Sequence, residues 1–277
     1  MLRLLIEPIV RAALAEDLGR AGDITTDAVV PSDAEVAAVI VARQAGVLAG
    51  LEAGLLAFEL LDPGLRLERI CADGSRLERG KAVASISGRG RPVLAAERVA
   101  LNLVCRMSGI ATATRSLVDA IEGHKAKIVC TRKTTPGLRI LEKEAVCLGG
   151  GANHCFGLDD AMLIKDNHVA LAGGVKSALE RARAQAGHLV KIELEVDTLD
   201  QLAEALEHSV DAVLLDNMDP PTLRRAVEMV GGRAVTEASG RITRETAPAI
   251  AATGVDLISS GWITHSAPIL DLGLDID

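Results

Sequence analysis

From residue 126 onward this chain alternates, six times over, a short aliphatic run with a helix-like segment; the runs are AKIVC, AMLIK, KIELEV, AVLLD, AVTEA and DLISSG. Strands separated by helical crossovers run in the same direction, so the repetition predicts a parallel sheet, either open or curled into a barrel. What each run leads into separates the two. Arg132 and Lys133 follow the first, Lys165 ends the second, Glu195 and Asp197 the third, Asp216 the fourth, Glu237 and Ser239 the fifth, and Ser259 to Gly261 the sixth. Polar groups collect at the carboxyl end of every strand, where α/β barrels build their sites. An open sheet would gather them mainly at one switch point. A barrel is the expectation.

The residues before this repeat have a different rhythm. An amphipathic opening helix leads into GDITTDAVV, read as a capped loop, and then into EVAAVIVARQ, LRLERICAD and KAVASISG, strand-like runs among glycines. That order suits a small α+β domain on an antiparallel sheet. The stretch RPVLAAERVALNLVCRMSGIATATRSLVDAIEG is helical in pattern, with a break expected near Ser108 and Gly109.

Charge is distributed unevenly. The 277 residues carry 38 acids against 30 bases, yet Gly123 to Leu141 holds five Lys or Arg and no Asp or Glu. Positive charge concentrated in one segment of an acidic chain points to a small, strongly anionic ligand there. Nucleic acid is disfavoured, since the chain has a net charge of −8, no Tyr, two Phe and one Trp. Single strands need aromatic platforms and duplexes a basic surface. No apolar run approaches the roughly 18 residues of a membrane span, and Arg3, Glu7 and Arg11 interrupt the opening segment in a way no signal peptide would. Five cysteines without a C-x-x-C pair suit reduced thiols and a cytoplasmic location.

Several residues carry possible chemistry. EASGR and ISSGW sit where barrels bind phosphate through backbone N–H groups, although each could be an ordinary turn. Glu195 and Asp216 each end a strand and could hold Mg²⁺ between protein and substrate phosphates, accept sugar hydroxyls, or neutralise Lys133 and Lys165. Lys165 could form a Schiff base, but neighbouring cations favour an electrostatic role. Asn153, His154 and His168 are candidates either for the site or for loop capping. Their spacing does not suit a metal, and Cys71, Cys105 and Cys130 are assigned to packing.

Seven ordered blocks then give the chain a likeness. EDLGRAGDITT, AERVALNLVCRMSGIAT, the segment from TRKTTPGLR to IKDNH, LEVDT, LLDN, EASG and GVDLISSGWITHS together resemble quinolinate phosphoribosyltransferase, the decarboxylating nicotinate-nucleotide pyrophosphorylase family of NAD biosynthesis. The resemblance implies an incomplete parallel α/β barrel, residues 109–265, and an N-terminal α+β sandwich domain, residues 1–108, joined by the tail 266–277. It implies a homodimer, possibly part of a larger assembly, with the active site shared between subunits. The substrates would be quinolinate and 5-phosphoribosyl-1-diphosphate, with Mg²⁺ required. The products would be nicotinate mononucleotide, diphosphate and CO₂.

By position, the resemblance assigns Arg98 of the neighbouring subunit, Arg132 and His154 to quinolinate, Lys133 and Lys165 to both substrates, and Thr131 and Cys155 to substrate binding. Glu195 and Asp216 would serve the ribose and, directly or through substrate or water, the metal. Glu237, Ser239, Gly240, Ser259, Ser260 and Gly261 would take phosphate. Lys133, Lys165, Glu195 and Asp216 would carry the catalysis. Three residues depart from the pattern: Cys155 stands where the family usually has an arginine that contacts a quinolinate carboxylate, Glu144 where it commonly has Tyr, and Cys147 in a stretch that is often more basic. Arg139 or Arg106 would have to replace the charge of that arginine. Two other readings share the fold, a paralogue acting on a related aromatic acid and a weakly catalytic sensor of phosphoribosyl diphosphate.

Overall fold

The computed structural model describes residues 2–276 and divides into two compact units. The first comprises residues up to 115 together with 134–150 and the tail from 266; the second comprises 116–133 and 151–265. Of the expected tail, Asp277 lies outside the described residues. Against the expected boundary at 108, the first unit runs further along the chain and also takes in 134–150.

In the first unit α1 (Arg3–Leu18) buries Ile6, Val10 and Leu14, three residues at helical spacing. The segment read as a capped loop is a short helix, α2 (Ile24–Val29), whose Asp23 side chain accepts from the Thr26 amide at 2.9 Å. The strands are β1 (Glu35–Ala42), β2 (Gly46–Val47), β3 (Arg66–Arg69), β4 (Arg76–Leu77) and β5 (Ala82–Arg89), with α3 (Leu51–Leu61) after β2. β1 buries Ala38, Ile40 and Ala42 on one face, the alternation its sequence predicts.

The helix α4 (Gly90–Ala120) continues through Ser108 and Gly109, where a break was expected. The two small residues serve packing instead. A Cβ on Gly109 would stand 2.1 Å from the carbonyl oxygen of Pro268 in the tail, and the buried Ser108 hydroxyl accepts from the Ala49 amide at 2.9 Å. A glycine inside a helix is thus required by the backbone that crosses it. α5 (Arg139–Leu148) ends on the same device, because a Cβ on Gly149 would meet the Ala111 carbonyl oxygen of α4 at 2.4 Å.

The second unit follows the predicted alternation. Its elements are β6 (Lys127–Val129), β7 (Met162–Ile164), α6 (Asp166–Ala172), α7 (Val175–Gln185), β8 (Ile192–Val196), α8 (Leu199–Glu207), β9 (Ala212–Asp216), α9 (Pro220–Val230), β10 (Val235–Ser239), α10 (Ala247–Ala251), β11 (Leu257–Ser259) and α11 (Trp262–His265). The strands form one parallel sheet in the order β6-β11-β10-β9-β8-β7. It is barrel-like without closing, since β6 and β7 are its edges. Ala152 adds a one-residue bridge beside Val129, extending β6's free edge and setting residues 153–155 at the carboxyl end of the strands. The last strand, β12 (Leu272–Ile276), returns to the first unit and pairs with β1 in the antiparallel order β12-β1-β5-β3. Among the described residues no helix is long and apolar enough to cross a membrane.

Candidate active site

The carboxyl ends of all six parallel strands converge on one cavity of about 480 Å³ in the second unit. Thr131, Arg132 and Lys133 reach it after β6, and Lys165 after β7. β8 contributes Glu195, β9 Asp216, β10 Glu237 and Ser239, and β11 Ser259. His154 and Cys155 line it from the loop after the Ala152 bridge. Contributions from both edge strands require a curled sheet.

Charge is paired across this mouth. Lys165 Nζ lies 3.0 Å from Glu195 Oε2, with the lysine half exposed and the carboxylate largely covered. Asp216 Oδ2 accepts from Asn217 Nδ2 at 2.5 Å. The Thr131 hydroxyl accepts from the Lys133 amide at 3.0 Å, folding the chain so that consecutive cations face the opening. Lys133 is further positioned by the Thr264 hydroxyl, which donates to its carbonyl at 2.8 Å. A Cβ on Gly261 would press on the Lys133 side chain at 2.8 Å, so glycine there makes room for that lysine.

Below the mouth lies a group that the sequence reading missed. Glu193 is two residues before Glu195 and therefore on the same face of β8, opposite the buried Ile192, Leu194 and Val196. Its Oε2 is 3.0 Å from His154 Nε2, and Glu237 Oε2 is 3.6 Å from the same nitrogen. The period-two alternation of KIELEV carried that signal. The hydrogen bond to Glu193, opposed by burial and helped by the Glu237 charge, pushes His154 up to about 10. Burial, then the Glu193 charge, pushes Glu237 up to about 7, and both of its oxygens are buried without a hydrogen-bond partner among the described residues.

Both shifts make folding favour the protonated forms, so stability should fall as pH rises. Glu237 contributes a loss from about 4.5 to about 7, and His154 one from about 6.5 to about 10. Thermal melts should therefore show a transition temperature that declines between pH 6 and pH 10, and Glu237→Gln should flatten the acidic part of that decline. A transition temperature that rises over this range would contradict the assignment.

Other expected residues are placed differently. Ser260 is buried and its amide donates to the Val129 carbonyl at 3.0 Å, so that N–H serves the sheet and not a phosphate. Gly240 has φ +102° and a Cβ there would stand 2.2 Å from Asn217 Oδ1, which makes glycine obligatory beside the mouth. Ser259 keeps a buried hydroxyl without a partner among the described residues. Asp197 is exposed beyond its strand. His168 Nδ1 accepts from the Lys165 amide at 2.9 Å and so caps α6, and Asn153 Oδ1 accepts from the Cys130 thiol at 3.3 Å.

The basic segment is less concentrated in space than in sequence. Lys125 pairs with Asp256 at 3.0 Å, and Lys127 is exposed on β6. Arg139 donates to the Thr134 hydroxyl in the first unit. Arg106 donates to the wholly buried Glu142 at 3.1 Å and to the Ala267 carbonyl at 3.0 Å. Arg139 and Arg106 both belong to the first unit, and neither is among the residues lining this cavity of the second. Arg98 is exposed on α4 and is not among the lining residues.

Residues 23–108 match the N-terminal domain of quinolinate phosphoribosyl transferase, and residues 110–275 match its C-terminal domain. A nicotinate-nucleotide pyrophosphorylase (carboxylating) of Mycobacterium leprae is 47% identical over 272 residues, covering 96% of this chain and 95% of that protein. The chloroplastic enzyme of the same name from Arabidopsis thaliana is 41% identical over 290 residues, 98% of this chain and 83% of that protein. The crystal structure of NadC from Streptococcus pyogenes superposes with a TM-score of 0.95 at 39% identity, covering 100% of this chain and 99% of that one.

Proposed function

The chain belongs to the quinolinate phosphoribosyltransferase family, and from that premise we propose how its barrel mouth performs the reaction. It is a pentosyltransferase of de novo NAD biosynthesis. It joins quinolinate to 5-phosphoribosyl-1-diphosphate with decarboxylation, giving nicotinate mononucleotide, diphosphate and CO₂. The observation that carries the assignment of roles is the single cavity in which Arg132, Lys133 and Lys165 face Glu195 and Asp216. Cations hold two polyanionic substrates, and carboxylates meet the positive charge that develops on the sugar.

Arg132, Lys133 and His154 hold the quinolinate carboxylates beside the ribose, which makes the attack effectively intramolecular. As the bond from C1 of the ribose to diphosphate breaks, Glu195 and Asp216 stabilise the oxocarbenium-like sugar. Lys165, kept in place by Glu195, balances the departing negative charge. The ring nitrogen attacks C1 to give a pyridinium. That cation takes up the electron pair released when the adjacent carboxylate leaves as CO₂, and a proton replaces it on the carbon. Ser239, Ser259 and the tight Gly240 turn receive the 5-phosphate, and no covalent nucleophile is used.

Mg²⁺ fits this donor set. Two carboxylates in a mouth built for phosphates, Glu195 and Asp216, are the hard oxygen donors that ion uses alongside substrate and water. When bound it would neutralise charge on the diphosphate leaving group. Arg98, exposed and outside the lining of its own mouth, supports a homodimer in which it completes the partner's quinolinate site. Five cysteines without a disulfide support a reducing compartment, the cytoplasm.

Purified protein given both substrates and Mg²⁺ should form nicotinate mononucleotide and release labelled CO₂ from carboxyl-labelled quinolinate. Binding of phosphoribosyl diphosphate without turnover at any protein concentration would favour a sensor instead. Turnover of a different aromatic acid in preference to quinolinate would favour a paralogue.

A further inference from the structure

Cys155 is an unusual occupant of an anion-binding mouth, and with His154 it joins Glu193 in a constellation whose sulfur and Glu193 carboxylate have no part in the phosphoribosyl transfer. Its Sγ lies 3.0 Å from His154 Nδ1, and the opposite ring nitrogen, Nε2, lies 3.0 Å from Glu193 Oε2. Sulfur, imidazole and carboxylate are thus in line, each within hydrogen-bond reach of the next, the arrangement that activates a nucleophile. The Cys155 amide also points at Nδ1, at 2.7 Å. Nε2 carries the proton it gives to Glu193. An imidazole nitrogen this close to a sulfur is the neighbour that assists its attack on an electrophile.

Access is also provided. Cys155 is only half buried, and it lines both the 480 Å³ mouth and an adjoining 310 Å³ cavity, with Arg132 and Leu163 common to the two. Arg132 places positive charge along the approach to the sulfur. Cys105 and Cys130 are buried, half-buried Cys71 donates to the Ala82 carbonyl at 3.4 Å, and Cys147 is exposed.

We propose that Cys155, activated by His154 and Glu193, is a reversible oxidation site for hydrogen peroxide inside the substrate mouth, and that its oxidation closes the quinolinate site. In the forward step the sulfur attacks one peroxide oxygen and the O–O bond breaks. The sulfur is oxidised to a sulfenic acid and the peroxide is reduced. The thiol proton goes to the departing hydroxide, which leaves as water. A small thiol then displaces water to form a mixed disulfide, and a second thiol restores Cys155. Blockage of turnover rests on the assigned reaction; the reactivity of the thiol does not.

The reactivity is read on the protein without substrates, by limited iodoacetamide at pH 7 and mass spectrometry of all five cysteines. Cys155 should be alkylated roughly tenfold faster than Cys147 or Cys71, although accessibility alone would put Cys147 first. His154→Gln, or Glu193→Gln if the first fails to fold, should remove most of that excess while leaving the Cys147 rate unchanged. Cys147 reacting first, or an excess that survives both variants, would overturn the proposal. Peroxide should then abolish turnover with a sulfenic acid trapped at Cys155, dithiothreitol should restore it, and Cys155→Ser should keep the same activity with and without peroxide. Inactivation that persists in Cys155→Ser would refute closure of the site.

Discussion

Lys165→Ala should lower kcat/KM for nicotinate mononucleotide formation by about 10²- to 10³-fold, the range for removing one preorganised group that stabilises transition-state charge. It should do so without unfolding the protein. The lysine is 49% exposed and its stem supports no core, so its stability contribution is that of a surface pair, at most about 1 kcal/mol. A thermal melt within a few degrees of the parent is therefore expected beside the kinetic loss. The partner left behind sharpens the expectation. Glu195 is only 13% exposed, and without Lys165 at 3.0 Å it repels the anionic substrates in the mouth. Both substrates should bind more weakly, and kcat should fall as well.

Lys165→Arg separates the two chemistries open to this residue. A fixed cation tolerates the exchange in part, whereas a Schiff base does not. Partial activity in the arginine variant, with no borohydride-trapped adduct on the parent enzyme, is the expected pair of results. An unfolded Lys165→Ala protein, or one that keeps activity within threefold, would contradict its placement in the mouth.

Legibility of the sequence followed the range of the interactions involved. The six parallel strands were readable because each is a local aliphatic run ending in a polar residue, and the six ends do meet in one cavity. Features decided by distant backbone were not. Gly109 has the composition of a helix break, yet the tail at Pro268 crossing α4 is what requires it. The placement of α5 with the first unit likewise depends on its close approach to Ala111, which no local pattern announces. Glu193 was within reach, since the alternation that buries Ile192 and Leu194 turns it to the same side as Glu195. Charge counting overreached in the opposite direction. Of the five bases between Gly123 and Leu141, only Arg132 and Lys133 line the mouth.

Cys155→Arg should lower the KM for quinolinate by tenfold or more and leave that for phosphoribosyl diphosphate nearly unchanged. Quinolinate presents two adjacent carboxylates, and Arg132 is the guanidinium among the residues lining this cavity. A neutral thiol cannot make the bidentate, charge-assisted contact that a second guanidinium provides. Restoring a buried charged hydrogen bond is worth about 2–5 kcal/mol, so tenfold is a lower bound on the expected gain. The substitution also removes the sulfur from His154 Nδ1, while Glu193 continues to hold the opposite ring nitrogen. A fall in KM would mean the pocket is still shaped for quinolinate and lacks only the charge. Loss of all activity would mean that the 310 Å³ cavity beside Cys155 is part of the acceptor site, and that an arginine closes the space a larger or differently charged acid occupies.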